Sequence, residues 1–170
     1  MKKFLTLFLL QIIFIIAQTG LNIALAGERT VEEKNYFSSL RSAETNVRAG
    51  PGQHYPIKFT FKARGVPVRV ISEYDNWNEI EDYEGQTGWV SQNLLTKKRT
   101  LLIITNKPVI DMHAKNNEKS RVLYHLENHV TGEFLKCAGE WCAIKVKDKK
   151  GWVKKVEVYG VGDLDGVVDK

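Results

Sequence analysis

Two cysteines, Cys137 and Cys142, and two histidines, His125 and His129, are the side chains best equipped for nucleophilic or metal chemistry in this 170-residue chain. A thiol beside an imidazole can act as nucleophile and base, and two sulfurs with two ring nitrogens can hold zinc. On a helix His125 and His129 would share a face, but in His125-Leu126-Glu127-Asn128-His129 the acid is misplaced for a zinc-protease motif. Ala138-Gly139-Glu140-Trp141, between the cysteines, reads as a tight turn between strands that brings their Cβ atoms within bridging distance. In an exported chain such a pair reads first as a disulfide; free thiols or half of a metal site are the alternatives. A bridged cysteine cannot attack a substrate. Neither a Gly-x-Ser-x-Gly elbow nor a phosphate-binding loop is present. The chain is therefore expected to be no enzyme and to need no metal or cofactor.

What remains is binding chemistry. Trp77 and Ile80 are three apart, so in a regular strand they face opposite ways. If Ile80 is core, Trp77 faces outward unless a bulge intervenes; Trp141 and Ile144 repeat this spacing. An outward indole suits a sugar ring or a peptide. Tyr74 and Asp75 precede Trp77, and Tyr55 lies in another loop, together a candidate aromatic groove with an acidic edge. The alternative is that Trp77 caps a small core. Arg48 is a candidate for gripping a carboxylate, or else for satisfying loop carbonyls; His113 at the same place in a second copy favours the loop role, since His cannot replace a guanidinium fork. Six lysines between 145 and 155 suit an anionic polymer or lipid headgroups, although lysine also guards strand edges against aggregation.

The elements that position these residues come twice. Trp77 precedes Gly88-Trp89-Val90, and Trp141 precedes Gly151-Trp152-Val153. Asn46-Val47-Arg48-Ala49-Gly50 aligns with Asp111-Met112-His113-Ala114-Lys115, Ile57 with Val122, and Phe59 with Tyr124. Each copy reads as short strands: Val66, Val68 and Val70 alternate with Pro67 and Arg69. Gly50-Pro51-Gly52, Glu84-Gly85 and, in the second copy, Asp148-Lys149-Lys150 read as turns. The expected class is all-β, two small tandem barrels, with tryptophan supplying much of each small core. Residues 38–96 carry six basic and seven acidic side chains, and residues 100–159 eleven and seven, too slight an excess for nucleic acid.

The N-terminus has a secretory grammar: Lys2 and Lys3, an apolar run over 4–17, then Ala24-Leu25-Ala26. Cleavage is expected after Ala26, before Gly27, with retention as a membrane anchor the alternative. After cleavage no spanning stretch remains. The expected division is a signal peptide at 1–26, a short segment at 27–37, a first domain at 38–96, a basic linker at 97–99, a second domain at 100–159 and an acidic tail at 160–170.

The run Thr45-Asn46-Val47-Arg48-Ala49-Gly50-Pro51-Gly52, followed by Tyr55-Pro56, Gly65-Val66-Pro67-Val68, Trp77, Ile80 and Gly88-Trp89-Val90, resembles the bacterial SH3 (SH3b) domain. The likeness covers about 38–96. The second copy resembles it more weakly, lacking the Asn-Val-Arg signature but keeping Trp141, Gly151, Trp152 and Val153. Its Trp-Cys segment is similar to the second repeat of exported tandem proteins of this family. The resemblance implies two SH3-like barrels without catalysis, placed in the periplasm or envelope, holding peptidoglycan or its peptides. A protein-interaction adaptor is the alternative.

Overall fold

Val68 and Val70 are fully buried and Arg69 is not, so the alternation around them forms a half-buried strand. The computed structural model describes residues 31–162. The expected cleavage site at Ala24, Ala26 and Gly27, and the tail from 163, lie outside the described residues.

The first barrel comprises β1 (Glu32–Leu40), β2 (Thr45–Arg48), β3 (Ile57–Phe61), β4 (Pro67–Tyr74), β5 (Trp77–Glu81), β6 (Thr87–Ser91), a 3-10 turn at Gln92–Leu94 and β7 (Leu95–Thr96). The second comprises β8 (Thr100–Ile103), β9 (Val109–His113), β10 (Val122–Glu127), β11 (Thr131–Ala138), β12 (Trp141–Val146), β13 (Lys149–Lys154), a 3-10 turn at Lys155–Glu157 and β14 (Val158–Tyr159). The strand orders are β3-β2-β6-β5-β4-β1-β7 and β10-β9-β13-β12-β11-β8-β14, one arrangement used twice. Even the bulges correspond: β4 slips register between Val70 and Ser72, β11 between Phe134 and Lys136.

Two expectations need correction. The first sheet begins at Glu32, inside the segment placed at 27–37, because β1 pairs along β4 from Glu32↔Glu73 to Ser39↔Pro67. The second concerns the core. Leu40, Val47, Val66, Val68, Val70, Ile80, Val90 and Leu95 fill the first barrel. Leu101, Ile103, Ile110, Met112, Leu126, Cys142, Ile144, Val153 and Val158 fill the second. No tryptophan belongs to either cluster, because alternation puts all four on the opposite face of their strands; of the four, Trp89 alone is buried there. Aliphatic side chains suffice because β2 lies close over β6: a Cβ on Gly88 would stand 2.5 Å from Val47 Cγ1 and 2.9 Å from the Arg48 carbonyl oxygen.

The barrels share a bonded seam. The Thr100 hydroxyl donates to the Gly65 carbonyl (2.7 Å) and is 2.8 Å from Ser39 Oγ, which accepts from the Thr100 amide at 3.0 Å. Tyr159 Oη donates to the Glu81 carbonyl at 2.9 Å, and its ring meets Phe37 edge-on at 5.1 Å. The basic joint is built in as well: Arg99 lies over Phe134 at 4.4 Å and donates to the Gly160 carbonyl at 2.7 Å.

Candidate functional site

Strand register assembles one outward row on the first barrel. Arg48 stands opposite Trp89, Trp89 opposite Glu79, and Glu79 opposite Ser72. Directly opposed residues share a face. The intervening Val47, Ile80 and Val90 are fully buried, so this row lies on the sheet face opposite the core, where Trp89 and Ser72 are nonetheless covered by their neighbours. Trp77, two residues before Glu79, joins the same face and is half-buried. Its cross-strand partner is Tyr74, and Asp75 turns the hairpin between them with φ 51°. Tyr74, Asp75 and Trp77 are thus brought together. Glu79 accepts from Ser72 Oγ at 2.8 Å, and Glu81 from Arg69 Nε at 2.8 Å, which ties these carboxylates to the sheet.

Arg48 and Tyr55 form the other group. Arg48 Nη1 donates to the Tyr55 carbonyl at 2.8 Å, across the loop that joins β2 to β3. Tyr55 lies over this loop so closely that a Cβ on Gly50 would be 2.6 Å from its ring. His54 lies 4.3 Å from the Tyr55 ring and crowds Gly52 in the same way. The Asn-Val-Arg-Ala-Gly-Pro-Gly run is therefore a loop-building unit. In the second barrel His113 Nδ1 is 3.0 Å from the Ser120 carbonyl. A carbonyl only accepts, so Nδ1 carries the proton there. Imidazole and guanidinium do one job at one position, which is why the signature can change without loss of the loop.

Around Trp141 that second loop encloses a groove of about 700 Å³, lined by residues of the loop (Asn116, Asn117, Glu118, Lys119) and by Glu140, Lys154 and Val156. His113 meets the Trp141 ring edge-on at 5.2 Å. Lys154 pairs with Glu118, holding that carboxyl below its ordinary value and raising its own ammonium. The sequence offered Trp141 only as an echo of Trp77; the loop that walls its groove carried no motif to mark it.

Cys137 and Cys142, directly opposed on β11 and β12, form a disulfide with Cα atoms 4.0 Å apart. At the corresponding place on β4 and β5, Glu73 is opposed to Asn78. There Tyr36 Oη donates to Glu73 Oε1 at 2.7 Å and accepts from Asn78 Nδ2 at 3.4 Å. Burial, then Glu73, pushes the Tyr36 phenol up to about 12. His125 sits on β10 with Nδ1 2.8 Å from Asp111 Oδ1. His129 has φ 62° in the following turn, its ring 5.3 Å from that of Tyr83. The pair occupies strand and turn and does not share a helical face.

Residues 41–97 match the bacterial SH3 domain family. No curated protein matches the chain. Among solved structures it is similar to an NlpC/P60 family protein from Bacillus cereus ATCC 10987, at 12% identity over 72% of this chain and 55% of that one, with a TM-score of 0.33. It is also similar to NlpC2 from Trichomonas vaginalis (8% identity, 75% and 48% of the two chains, TM-score 0.34). NlpC1 from the same organism matches at 11% identity over 81% and 50%, with a TM-score of 0.33. The chain spans about half the length of these proteins.

Proposed function

Starting from residues 41–97 as a bacterial SH3 domain, we propose that this protein is an exported, non-catalytic component of the cell envelope that binds peptidoglycan or its peptides. The face around Trp77 is the contact surface. One observation carries this reading: Ile80 is fully buried, while Trp77, on the other face of the same strand, is only half-buried beside Tyr74 and Asp75. An aromatic residue that the core does not need, at the mouth of a hairpin with a carboxylate, suits a sugar ring or a short peptide bearing an amine. Arg48 contributes by holding the neighbouring loop, with Tyr55 laid over it.

The test is retention on purified peptidoglycan freed of attached anionic polymer. The protein should be retained at physiological salt. Trp77→Ala should weaken retention roughly tenfold or more, as loss of an aromatic anchor does. Its thermal midpoint should move by less than roughly 4 °C, as for a side chain outside the core. Absence of retention by the unaltered protein would sink the wall-binding reading and leave a protein partner as the occupant of the same face. A collapse in stability would assign Trp77 to the fold.

A further inference from the structure

We propose that the outward face of β11, β12 and β13 on the second barrel binds an anionic polysaccharide, at a site separate from the Trp77 face. On these strands Trp152 stands opposite Ala143, and Ala143 opposite Lys136. The Lys136 ammonium lies 5.9 Å from the Trp152 ring centre. One row along, Lys145 stands directly opposite Lys150. Among the described residues neither Lys136, Lys145 nor Lys150 has a carboxylate within ion-pair distance. Glu133, across β11 from Lys145, is bridged by Lys98 at 3.1 Å, and Lys154 is paired with Glu118.

Like charges opposed across a ladder destabilise it; the Asp148 carboxylate in the adjoining turn acts on Lys145 but is paired with Lys149, and an anion between Lys145 and Lys150 would relieve the repulsion that remains. The first barrel makes the contrast. Where the second has Lys136, Ala143, Trp152, Lys145 and Lys150, the corresponding positions hold Ser72, Glu79, Trp89, Glu81 and Thr87. The indole is kept, Glu79 and Glu81 give way to Ala143 and Lys145, and Glu133, already bridged by Lys98, stands where the first barrel has Arg69. The charge follows, with seven acidic against six basic side chains over 38–96 and seven against eleven over 100–159.

The shape of the face selects among polyanions. β12 is paired on both sides, to β11 and β13, so its backbone has nothing left to offer an added peptide strand. Apart from Leu135, in the bulge, the face carries no exposed large apolar side chain of the kind that inserts into a bilayer. A half-buried indole flanked by ammoniums, on rows roughly 7 Å apart, fits the C–H face of a sugar ring whose neighbours carry carboxylates or similar groups.

Full-chain protein should bind immobilised polygalacturonate and be released by salt, while neutral dextran retains none. The triple variant Lys136→Gln, Lys145→Gln, Lys150→Gln should weaken binding roughly tenfold or more. Its thermal midpoint should stay level or rise, because the like-charge pair is gone. Lys62→Gln, Arg64→Gln, Lys97→Gln removes equal charge elsewhere and should leave binding unchanged. Equal loss in that control, no binding to polygalacturonate, or tighter binding to poly-L-glutamate or phosphatidylglycerol vesicles each overturns the proposal. The site does not depend on the Trp77 reading: Trp77→Ala should leave polygalacturonate binding intact, and the lysine variant should leave retention on stripped peptidoglycan intact.

Discussion

Glycine at 88 is dictated by its neighbour across the sheet. Any side chain there meets Val47 and the Arg48 carbonyl, and only the former can give way. Gly88→Ala should cost about 1–3 kcal/mol, the range for overpacking a tight site, measured as a lowered denaturation midpoint with unchanged slope. A Cβ on Gly151 would stand 2.6 Å from Met112 Cγ and 2.9 Å from the His113 carbonyl oxygen, so the same change should be felt in the second barrel. The Gly-Trp-Val triplet could be read in the sequence as a repeat mark, but its cause could not, because the clash is with a strand some forty residues earlier. The opposite orientation of Trp77 and Ile80 was legible, because it follows from the period of a strand alone. Arg48 spends a donor on the Tyr55 carbonyl, which the sequence offered as one of two roles and which the exchange with His113 favoured.

At the scale of elements, the two hairpins β4–β5 and β11–β12 secure the same cross-strand position by different means. One uses a Glu73–Tyr36–Asn78 hydrogen-bonded set, the other the Cys137–Cys142 bridge. The bridge closes a short loop, for which chain entropy gives about 2 kcal/mol. The double variant Cys137→Ala, Cys142→Ala should lose about that much stability, read by denaturant unfolding; adding a thiol reductant should then have no further effect. Strand β1 was missed before residue 38 because Glu32, Glu33 and Lys34 give no apolar alternation; its pairing to β4 decides it. The second-copy turn falls at Lys147–Asp148, with Lys149 and Lys150 already in β13, and Lys147 takes φ 54° without being glycine. No turn signal marks that position. The opposition of Lys145 and Lys150 follows from this register, so it was hidden within a plain run of lysines.

Across the whole molecule, the hydroxyls that bond the two barrels, those of Ser39, Thr100 and Tyr159, are neutral, and Tyr159 titrates only in strong base. Burial, and then Glu81, pushes the Tyr159 phenol up to about 12 from an ordinary 10.0. The unfolded chain therefore loses this proton first. The stabilisation is complete below pH 10 and is lost as pH rises toward about 12. Denaturation midpoints measured across that window should fall, and Tyr159→Phe should flatten part of the decline. Tyr36→Phe should remove another part, since its phenol is raised in the same direction. The last strand of each sheet also sets an order in time. β1 finds one of its partners in β7, and Ser38 Oγ donates to the Thr96 carbonyl 58 residues further along the chain. As a chain emerges N-terminus first, β1 has β4 on one side but lacks β7 on the other until Thr96 appears. The seam at Thr100 forms just behind it. Completing this half of the molecule therefore needs a non-local pairing, the kind that forms slowly, and the edge of β1 is bare until then.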